Sequence, residues 1–482
     1  MDVSFILIIL LFGAAATYFT GDKFASKAAL IFSLAALAAS IYVTYRYAMG
    51  DSVNFAHGWI KSPNISLFFV GDGISLPMVL LTTALTPIIV LTSFGNLFPK
   101  TRTFYALILF MAFAMVGTFI SNDGLLYYIF WELALIPIYF IALVWGSGDA
   151  EERKKAVVKF FIYTFAGSLF MLVAFVYLYQ KRNMFLHGAL KNLALSEMEQ
   201  TWIFFAFFLA YAIKIPIIPF HTWQANVYQK APAAGTMLLS GIMLKMAIFS
   251  IVRWQLPIAP LAAQKYQYII VGLCIAGVIY GSILALKQTS LKKLLAYSSL
   301  AHVGLIAAGV YTLTLDGVRG AFLQMIAHGF VVVGLFFAAE VISRRWGTDE
   351  IAEMGGIRVQ APKFASMFLI LVLASVALPG TFNFVGEFEV LYSLAQTNIW
   401  MAVIGGTTII LGAFYMLRMF QQVMLGEQNQ NKKVFTDITI SEGIVMVLII
   451  GVLLFFGLYP KPIVDFMTTD IQKALLNINR FN

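Results

Sequence analysis

Long apolar segments, separated by short polar connections, constrain the fold of this chain more than any other feature. Of its 482 residues, 61% are apolar and only 11% are charged, whereas a soluble domain carries about 25% charged residues. A helix needs about 20 apolar residues to cross a bilayer. The segments are continuously apolar rather than alternating, which excludes an outer-membrane β-barrel. We therefore predict an all-α polytopic membrane protein.

Fourteen apolar windows predict about fourteen transmembrane helices, which are numbered as spans in chain order. The first window follows Asp2 and precedes Lys23 and Lys27. A signal peptide has positive charge before its apolar region, so this window is interpreted as a membrane helix. Two further apolar stretches, 219–227 and 382–395, resemble the second halves of broken helices. The windows are residues 3–19, 27–45, 73–94, 103–120, 122–146, 156–180, 201–219, 232–253, 268–287, 294–312, 318–343, 362–379, 399–425 and 440–459.

The distribution of basic residues predicts the orientation of the spans. Nineteen of the 32 Lys and Arg residues lie in odd-numbered loops, against eleven in the even loops and the C-terminus. Cytoplasmic loops are enriched in Lys and Arg, so we expect both termini on the periplasmic side of a bacterial cytoplasmic membrane. The same loops explain the net charge of +9 without a nucleic-acid partner. The longest polar connections, near 181–200 and 344–361, are too short to fold alone.

Six titratable residues fall inside the predicted spans. An ionisable group at membrane depth costs at least about 2.5–3.5 kcal/mol, so each needs a partner or a task. Lysine can gain or lose a proton when a nearby carboxylate moves, and histidine titrates near neutral pH. Together they predict a proton path through the bundle. They are Glu132, Lys214, Lys245, His302, His328 and Glu387.

Each of these residues also has a simpler interpretation. Glu132 and Lys214 could form a buried structural ion pair, although such pairs often gain little over apolar residues of similar volume. Lys245, which has no acidic residue near it in the sequence, could extend its ammonium to a membrane interface. His302 and His328 could be hydrogen-bonded structural groups or could bind a haem between their helices. The lone cysteine, Cys274, excludes a disulfide, an iron–sulfur cluster and a thiolate zinc site within this chain.

Helix breakers lie beside two of the charges. Lys214 precedes Pro216, and Glu387 follows Pro379. Broken helices in corresponding halves of a membrane protein indicate inverted repeats with an ion site at the break, although each could be an ordinary proline kink. The breaks fall in spans 7 and 12, which predicts two inverted five-helix repeats, spans 4–8 and 9–13. The predicted segments are an N-terminal three-helix segment (1–100), the first repeat (101–255), the second repeat (266–425) and a C-terminal helix and tail (426–482).

Several short motifs together resemble one known family. They are Phe130-Trp131-Glu132-Leu133, Lys214-Ile215-Pro216, Pro219-Phe220-His221-Thr222-Trp223, Ala231-Pro232, Lys245-Met246, Lys292-Lys293-Leu294-Leu295-Ala296-Tyr297-Ser298-Ser299, Ala327-His328-Gly329 and Gly386-Glu387-Phe388. The set resembles the antiporter-like membrane-arm subunits of proton-pumping NADH–quinone oxidoreductase, respiratory complex I. The resemblance covers about residues 65–425.

Within that family the chain most resembles the subunit M type. Subunit N and the sodium/proton antiporter relatives usually place lysine in the twelfth helix, where this chain has Glu387. The resemblance implies that Glu132 and Lys214 form the charge pair of a first half-channel and that Lys245 is a central relay. It also implies that His302 and His328 continue the path to Glu387. The motif Asp72-Gly73-Ile74-Ser75 before span 3 supports the same type.

The resemblance further implies cofactors and partners outside this chain. Such subunits hold no redox cofactor, and NADH, FMN, iron–sulfur clusters and quinone belong to partner subunits. The expected neighbours are the antiporter-like subunits L and N and the lipid bilayer. The chain would act in catalysis only as a subunit of the proton-translocating enzyme. A subunit of a multisubunit cation/proton antiporter or of a membrane-bound hydrogenase is the alternative.

Two positions depart from the family pattern. After His221-Thr222-Trp223 the family usually continues with a Leu-Pro-Asp-Ala-His type of sequence, whereas this chain reads Gln224-Ala225-Asn226-Val227-Tyr228. Ser290 stands where relatives often carry an acid before the paired basic residues of span 10. The first departure removes an acidic and a histidine side chain near the expected cytoplasmic mouth of the path.

Overall fold

The computed structural model describes residues 1–94, 98–427 and 434–479, and this part of the chain is almost entirely helical. Eleven of its helices are long and apolar enough to cross a membrane, and two shorter apolar helices are Ser4–Phe19 and Pro362–Ser375. The predicted all-α polytopic class is confirmed. Lys432, Lys433 and Arg480, which enter the count of basic residues above, lie outside the described residues.

The chain forms two compact units. Unit 1 comprises Met1–Pro216, Ile242–Tyr268 and Asp465–Asn482, and unit 2 comprises Ile217–Gly241 and Ile269–Val464. The elements of unit 1 are α1 (Ser4–Phe19), α2 (Asp22–Ala48), β1 (Phe55–Ile60), β2 (Ile65–Phe69), α3 (Ser75–Thr92), α4 (Thr101–Ile120), α5 (Gly124–Leu133), α6 (Leu135–Trp145), α7 (Ala150–Arg182), α8 (His187–Leu190), α9 (Glu197–Lys214), α12 (Leu244–Ser250) and α13 (Leu256–Ile258).

Unit 2 contains the helices that carry the second set of candidate residues. Its elements are α10 (Gln224–Lys230), α11 (Ala233–Leu238), α15 (Leu291–Tyr311), α16 (Leu315–Trp346), α17 (Ile357–Gln360), α18 (Pro362–Ser375), α19 (Phe382–Thr397), α20 (Ile399–Phe420) and α21 (Ile440–Leu458). Two helices, α14 (Pro260–Leu286) and α22 (Lys461–Asn479), contribute residues to both units.

Several helices extend beyond their apolar windows because their ends are capped by polar side chains. Helix α7 begins where the Asp149 carboxylate accepts hydrogen bonds from the backbone of Glu151 and Glu152. It ends at Asn183, whose φ of 54° is left-handed. Helix α9 begins with a capping box, in which Ser196 and Glu199 satisfy each other's backbone donors. Hydropathy windows stop at the first charges and therefore miss these capped turns.

A β-hairpin between α2 and α3 was not predicted. Strands β1 and β2 pair antiparallel, with Phe55 opposite Phe69. The carboxylate of Asp123 accepts hydrogen bonds from Leu125 and Leu126, which caps α5, and from the backbone of Ser66 in the hairpin. A single acidic side chain thus fixes both the start of α5 and the position of the hairpin beside it.

Both predicted helix breaks are present. Helix α9 ends at Lys214 and the next helix begins at Gln224, while α18 ends at Ser375 and α19 begins at Phe382. In the second break Ala377 has a φ of 54° and Gly380 a φ of 92°. The left-handed backbone at Gly380 is readily adopted only by glycine. The first break places a helix end at Lys214, and the second places the start of α19 five residues before Glu387.

Candidate functional site

Lys214 lies at the end of a half-helix, whereas the apolar window placed it inside a continuous span. It is the last residue of α9 and is 1% exposed. Its Nζ lies 3.9 Å from the centroid of the Trp131 ring and has no hydrogen-bond partner among the described residues. An ammonium over an indole face gains electrostatic attraction from the ring. The lysine is thus held by an aromatic face without any hydrogen-bonded anion.

Glu132 follows that tryptophan in the last turn of α5. The Lys214 charge acts on its carboxyl electrostatically, and the side chains of Ser168 and Tyr128 lie beside it. No direct hydrogen bond joins Glu132 to Lys214, since the lysine Nζ has no hydrogen-bond partner in the described chain. The two residues that the resemblance pairs are therefore close enough to interact, yet they do not form a hydrogen-bonded ion pair.

A cluster of buried hydroxyl groups adjoins this pair and was missed by sequence reasoning. The Tyr127 hydroxyl donates to Ser250 Oγ at 2.7 Å and lies 3.4 Å from the hydroxyl of Tyr211. The ring of Tyr211 lies against Trp131, with centroids 5.6 Å apart. Tyr127 and Trp131 are four residues apart on α5 and so share a helix face. That spacing was visible in the sequence, but its polar partner on a distant helix was not.

Lys245 lies in a seven-residue α-helix, α12, between two π-helical turns at Leu239–Met243 and Ile251–Gln255. It is 0% exposed, which excludes the interpretation that its ammonium extends to an interface. Short π-helical turns inside α-helices are frequent at functional sites. Unit 1 therefore contains Glu132, Lys214 and Lys245. The first two lie in the last turn of their helices, and the third lies between two π-helical turns.

In unit 2 the two histidines face each other across a small cavity. His302 on α15 and His328 on α16 have ring centroids 6.1 Å apart. The cavity, called the histidine cavity below, has a volume of about 10 Å³, close to what one water molecule needs and far too small for a porphyrin. This spacing of the two histidines therefore does not favour the haem interpretation. Its lining includes both histidines together with Ser298, Ser299 and Asn383.

Glu387 lies one helical turn beyond Asn383 on α19. It is 1% exposed, and neither carboxyl oxygen has a hydrogen-bond partner among the described residues. A Cβ added at the preceding Gly386 would lie 2.6 Å from the backbone nitrogen of Gln324, so the absence of a side chain there lets α19 pack closely on α16. Residues 383 and 387 share a face of α19. The second break thus brings a carboxyl group within one turn of the histidine cavity.

Ser290, at the start of α15, contacts a carboxylate from a distant loop. Ser290 Oγ donates to Asp349 Oδ2 at 2.6 Å, and Gln229 Nε2 lies 3.3 Å from the same oxygen. Lys292 on the first turn of α15 pairs with Glu340 at 3.3 Å. A carboxylate near a helix N-terminus is favourable. The Ser290 hydroxyl therefore holds the Asp349 carboxylate beside the N-terminus of α15.

The Asp72 motif forms a buried ion pair at the start of α3. Arg253 Nη2 donates to both carboxylate oxygens of Asp72 at 2.7 Å, and the backbone of Ile74 and Ser75 donates to Oδ1. Burial raises the pKa of this carboxyl, but the Arg253 charge and these hydrogen bonds outweigh it and hold the pKa below its usual value. Nearby, burial lowers the pKa of His187 to about 3, assisted by Arg253 and Lys191. His187 is therefore neutral at physiological pH.

Breaking this ion pair should destabilise the chain. We expect Asp72→Asn to cost up to about 3–5 kcal/mol, since it leaves the largely buried Arg253 guanidinium without its anion. The wild-type contribution is present at neutral pH and is lost as pH falls through the lowered pKa of Asp72. Thermal unfolding of the purified protein measures the effect. The matched control is Asp51→Asn, whose exposed pair with Arg46 should contribute little to stability; equal losses in the two variants would contradict the prediction.

With this geometry established, comparison with known proteins identifies the family. The family model described as NADH:quinone oxidoreductase/Mrp antiporter, TM, matches residues 121–412. A protein of Rickettsia conorii named NADH-quinone oxidoreductase subunit M is 34% identical over 98% of this chain and 96% of its own length. The chain belongs to the NADH-quinone oxidoreductase subunit M family. The segment of this chain that the family model matches, residues 121–412, contains all six candidate residues.

Two further relatives agree with that assignment. The NADH-ubiquinone oxidoreductase chain 4 of Metridium senile is 36% identical over 89% of this chain and 89% of its own. A chain in the structure of respiratory complex I from Thermus thermophilus with bound NADH superposes with a TM-score of 0.92. It is 26% identical and the match covers 99% of this chain and 100% of that one. The subunit M family thus shares sequence and fold over nearly the full length described here.

Proposed function

We propose that this chain moves protons across the bacterial cytoplasmic membrane as a membrane-arm subunit of NADH–quinone oxidoreductase. NADH oxidation at FMN, electron transfer through iron–sulfur clusters and quinone reduction take place in partner subunits. Subunits L and N are the proposed neighbours in the membrane. The chain is proposed to cross the membrane fourteen times, with both termini on the periplasmic side.

The observation that carries this proposal is the set of buried ionisable groups without fixed ionic partners. Among the described residues, neither Lys214 Nζ nor the two Glu387 oxygens have a hydrogen-bond partner, and the lysine lies over the Trp131 ring. A structural charge is normally paired and hydrogen-bonded, because an unpaired buried charge is costly. A group that must gain and lose a proton in each cycle instead needs a site that tolerates both forms. These two sites fit that requirement.

In unit 1, proton movement follows from the interaction between Glu132 and Lys214. When Glu132 is ionised it favours the ammonium form of Lys214, and the Trp131 face favours it further. Protonation of Glu132 removes that attraction, so the lysine releases its proton to a neighbouring acceptor. Lys245 in the same unit is the proposed acceptor. Because no hydrogen bond joins Glu132 to Lys214, small side-chain movements suffice to change the interaction.

In unit 2, the histidine cavity and Glu387 form the proposed second part of the path. His302 has no hydrogen-bond partner at either ring nitrogen within the described chain, so its ring is available to accept a proton. Asn383 lines the same cavity and lies one turn from Glu387. The broken helices at 215–223 and 376–381 support the arrangement of spans 4–8 and 9–13 as inverted repeats, each with one carboxylate or lysine at its break.

Purification of the tagged chain from its native membrane tests this function. We expect it to carry along FMN, iron–sulfur clusters and NADH–quinone reductase activity, and vesicles of the purified complex should acidify when NADH is added. Flavin absorbance, iron analysis and a pH-sensitive dye provide the measurements. A complex that exchanges cations for protons without flavin would favour the antiporter alternative, and nickel in the purified complex would favour a hydrogenase.

A further inference from the structure

Unit 2 has a second, larger cavity at the end where α14 leads into α15. Its volume is about 240 Å³, enough for several water molecules. Exposed side chains surround its mouth, and buried side chains form its floor. It is called the uptake cavity below. The mouth is lined by Lys287, Thr289, Ala352, Arg418 and Gln422, and the floor by Leu294, Tyr415 and Met419.

A hydrogen-bonded hydroxyl pair joins the lining of the uptake cavity to the lining of the histidine cavity. Tyr415 on α20 is 1% exposed and lines the uptake cavity, whereas Ser298 on α15 lines the histidine cavity. The Tyr415 hydroxyl donates to Ser298 Oγ at 3.1 Å. The neighbouring lining residues of α15, Leu294 and Leu295, are apolar. The two hydroxyls are therefore the polar contact between the cavities.

We propose that unit 2 takes up protons through this cavity and that the Tyr415–Ser298 pair passes them to His302. Each hydroxyl can donate one hydrogen bond and accept others, so a proton received by one oxygen is matched by release of its own proton to the next. The pair can also close the route, because rotation of either hydroxyl breaks the chain of hydrogen bonds.

This inference rests on the proposed function and on the predicted orientation. The mouth lies among residues 287–289 and 352, in odd-numbered loops that are expected in the cytoplasm. Its two cationic side chains, Lys287 and Arg418, are exposed, so water and salt screen their repulsion of an incoming proton. The proposal gives the second half of the molecule its own uptake route, in addition to the path through Lys214 and Lys245.

Removal of one hydroxyl tests the relay. We expect Tyr415→Phe and Ser298→Ala each to lower NADH-driven proton pumping about tenfold, as the loss of one well-placed hydrogen bond would. Because both hydroxyls act in one step, the double variant should pump no more slowly than the slower single variant. If the double variant instead loses pumping by the product of the two single losses, the variants act independently, as packing defects would, and the relay is overturned.

The matched control is Tyr392→Phe, which removes the hydroxyl of a tyrosine on α19 that is itself 51% exposed. We expect it to pump at the wild-type rate. Assembly is checked in each variant by NADH oxidation with an artificial electron acceptor. If Tyr415→Phe and Ser298→Ala both pump as fast as the control, the uptake route is wrong. The proposed function is tested separately by Glu387→Gln: if this variant loses pumping, the proposed function still holds even when the uptake route is wrong.

Chemical labelling tests which side the cavity faces. We expect Gln422→Cys to react with a membrane-impermeant thiol reagent from the cytoplasmic side and pumping to fall about tenfold on modification. Val359→Cys, on an exposed residue outside the cavity, should react equally without loss of pumping. Cys274 is fully buried and does not compete for the reagent. Reaction only from the periplasmic side, or full modification of Gln422→Cys without loss of pumping, would overturn the proposal.

Discussion

Replacing Lys214 with alanine is expected to abolish NADH-driven proton pumping while the complex still assembles. The variant removes the buried ammonium over Trp131 and leaves the indole and the carboxyl of Glu132 in place. The proton path through unit 1 then lacks the group that exchanges protons with Glu132. We expect at least about a hundredfold lower rate of vesicle acidification, the lower end of what general acid–base groups contribute. A pH-sensitive dye measures that rate, normalised to NADH oxidation with an artificial electron acceptor.

Lys214→Arg separates a proton carrier from a structural charge. Arginine restores a cation that stacks well on tryptophan, but it does not deprotonate in proteins. A structural role would be rescued by this variant, whereas a carrier role would not. Lys265→Ala is the matched control, since Lys265 is an exposed lysine paired with Glu197, and it should pump normally. Wild-type pumping by Lys214→Arg would contradict the proton-carrier role.

The sequence predicted the helical class and the two helix breaks, because membrane spans are long apolar segments and prolines interrupt helices. The proton-carrying role of the six candidate residues stays a prediction. The sequence did not predict where Lys214 lies on its helix. An apolar window continues through the break, whereas the backbone stops being helical at Ile215, just ahead of Pro216. Hydropathy measures which segments avoid water, and it is insensitive to the exact residue at which backbone hydrogen bonding ends.

The partners of the candidate residues could not be predicted for a different reason. Arg253 is 181 positions from Asp72 in the sequence, and Tyr415 is 117 positions from Ser298. Pairings over such separations depend on how helices pack, which a single sequence does not encode in its periodicity. The motif Asp72-Gly73-Ile74-Ser75 was noticed only through a family resemblance. Its physical role, a carboxylate that caps α3 and neutralises an arginine, needed the structure.

Glu387 can be replaced by glutamine, a residue of nearly equal shape. Glu387→Gln keeps the volume and shape of the side chain but replaces the ionisable carboxyl with a neutral amide. We expect proton pumping to fall at least about a hundredfold. Glu387 is the titratable residue of α19 that lies one turn from Asn383 in the histidine cavity, and the second half of the path would lose it. Vesicle acidification per assembled complex measures the effect, and Glu387→Asp should recover part of it.

Glu389→Gln provides the matched control two residues away on the same helix. Glu389 pairs with Arg319 at 2.9 Å. It therefore has a hydrogen-bonded cationic partner, whereas the carboxyl oxygens of Glu387 have no hydrogen-bond partner among the described residues. We expect its neutral variant to lower thermal stability by leaving the largely buried Arg319 less well paired, with pumping per folded complex unchanged. If Glu387→Gln behaves in the same way, losing stability but pumping normally, then Glu387 is a packing residue and the path ends elsewhere. The two glutamates therefore test directly whether a buried carboxyl without a fixed partner marks a proton carrier.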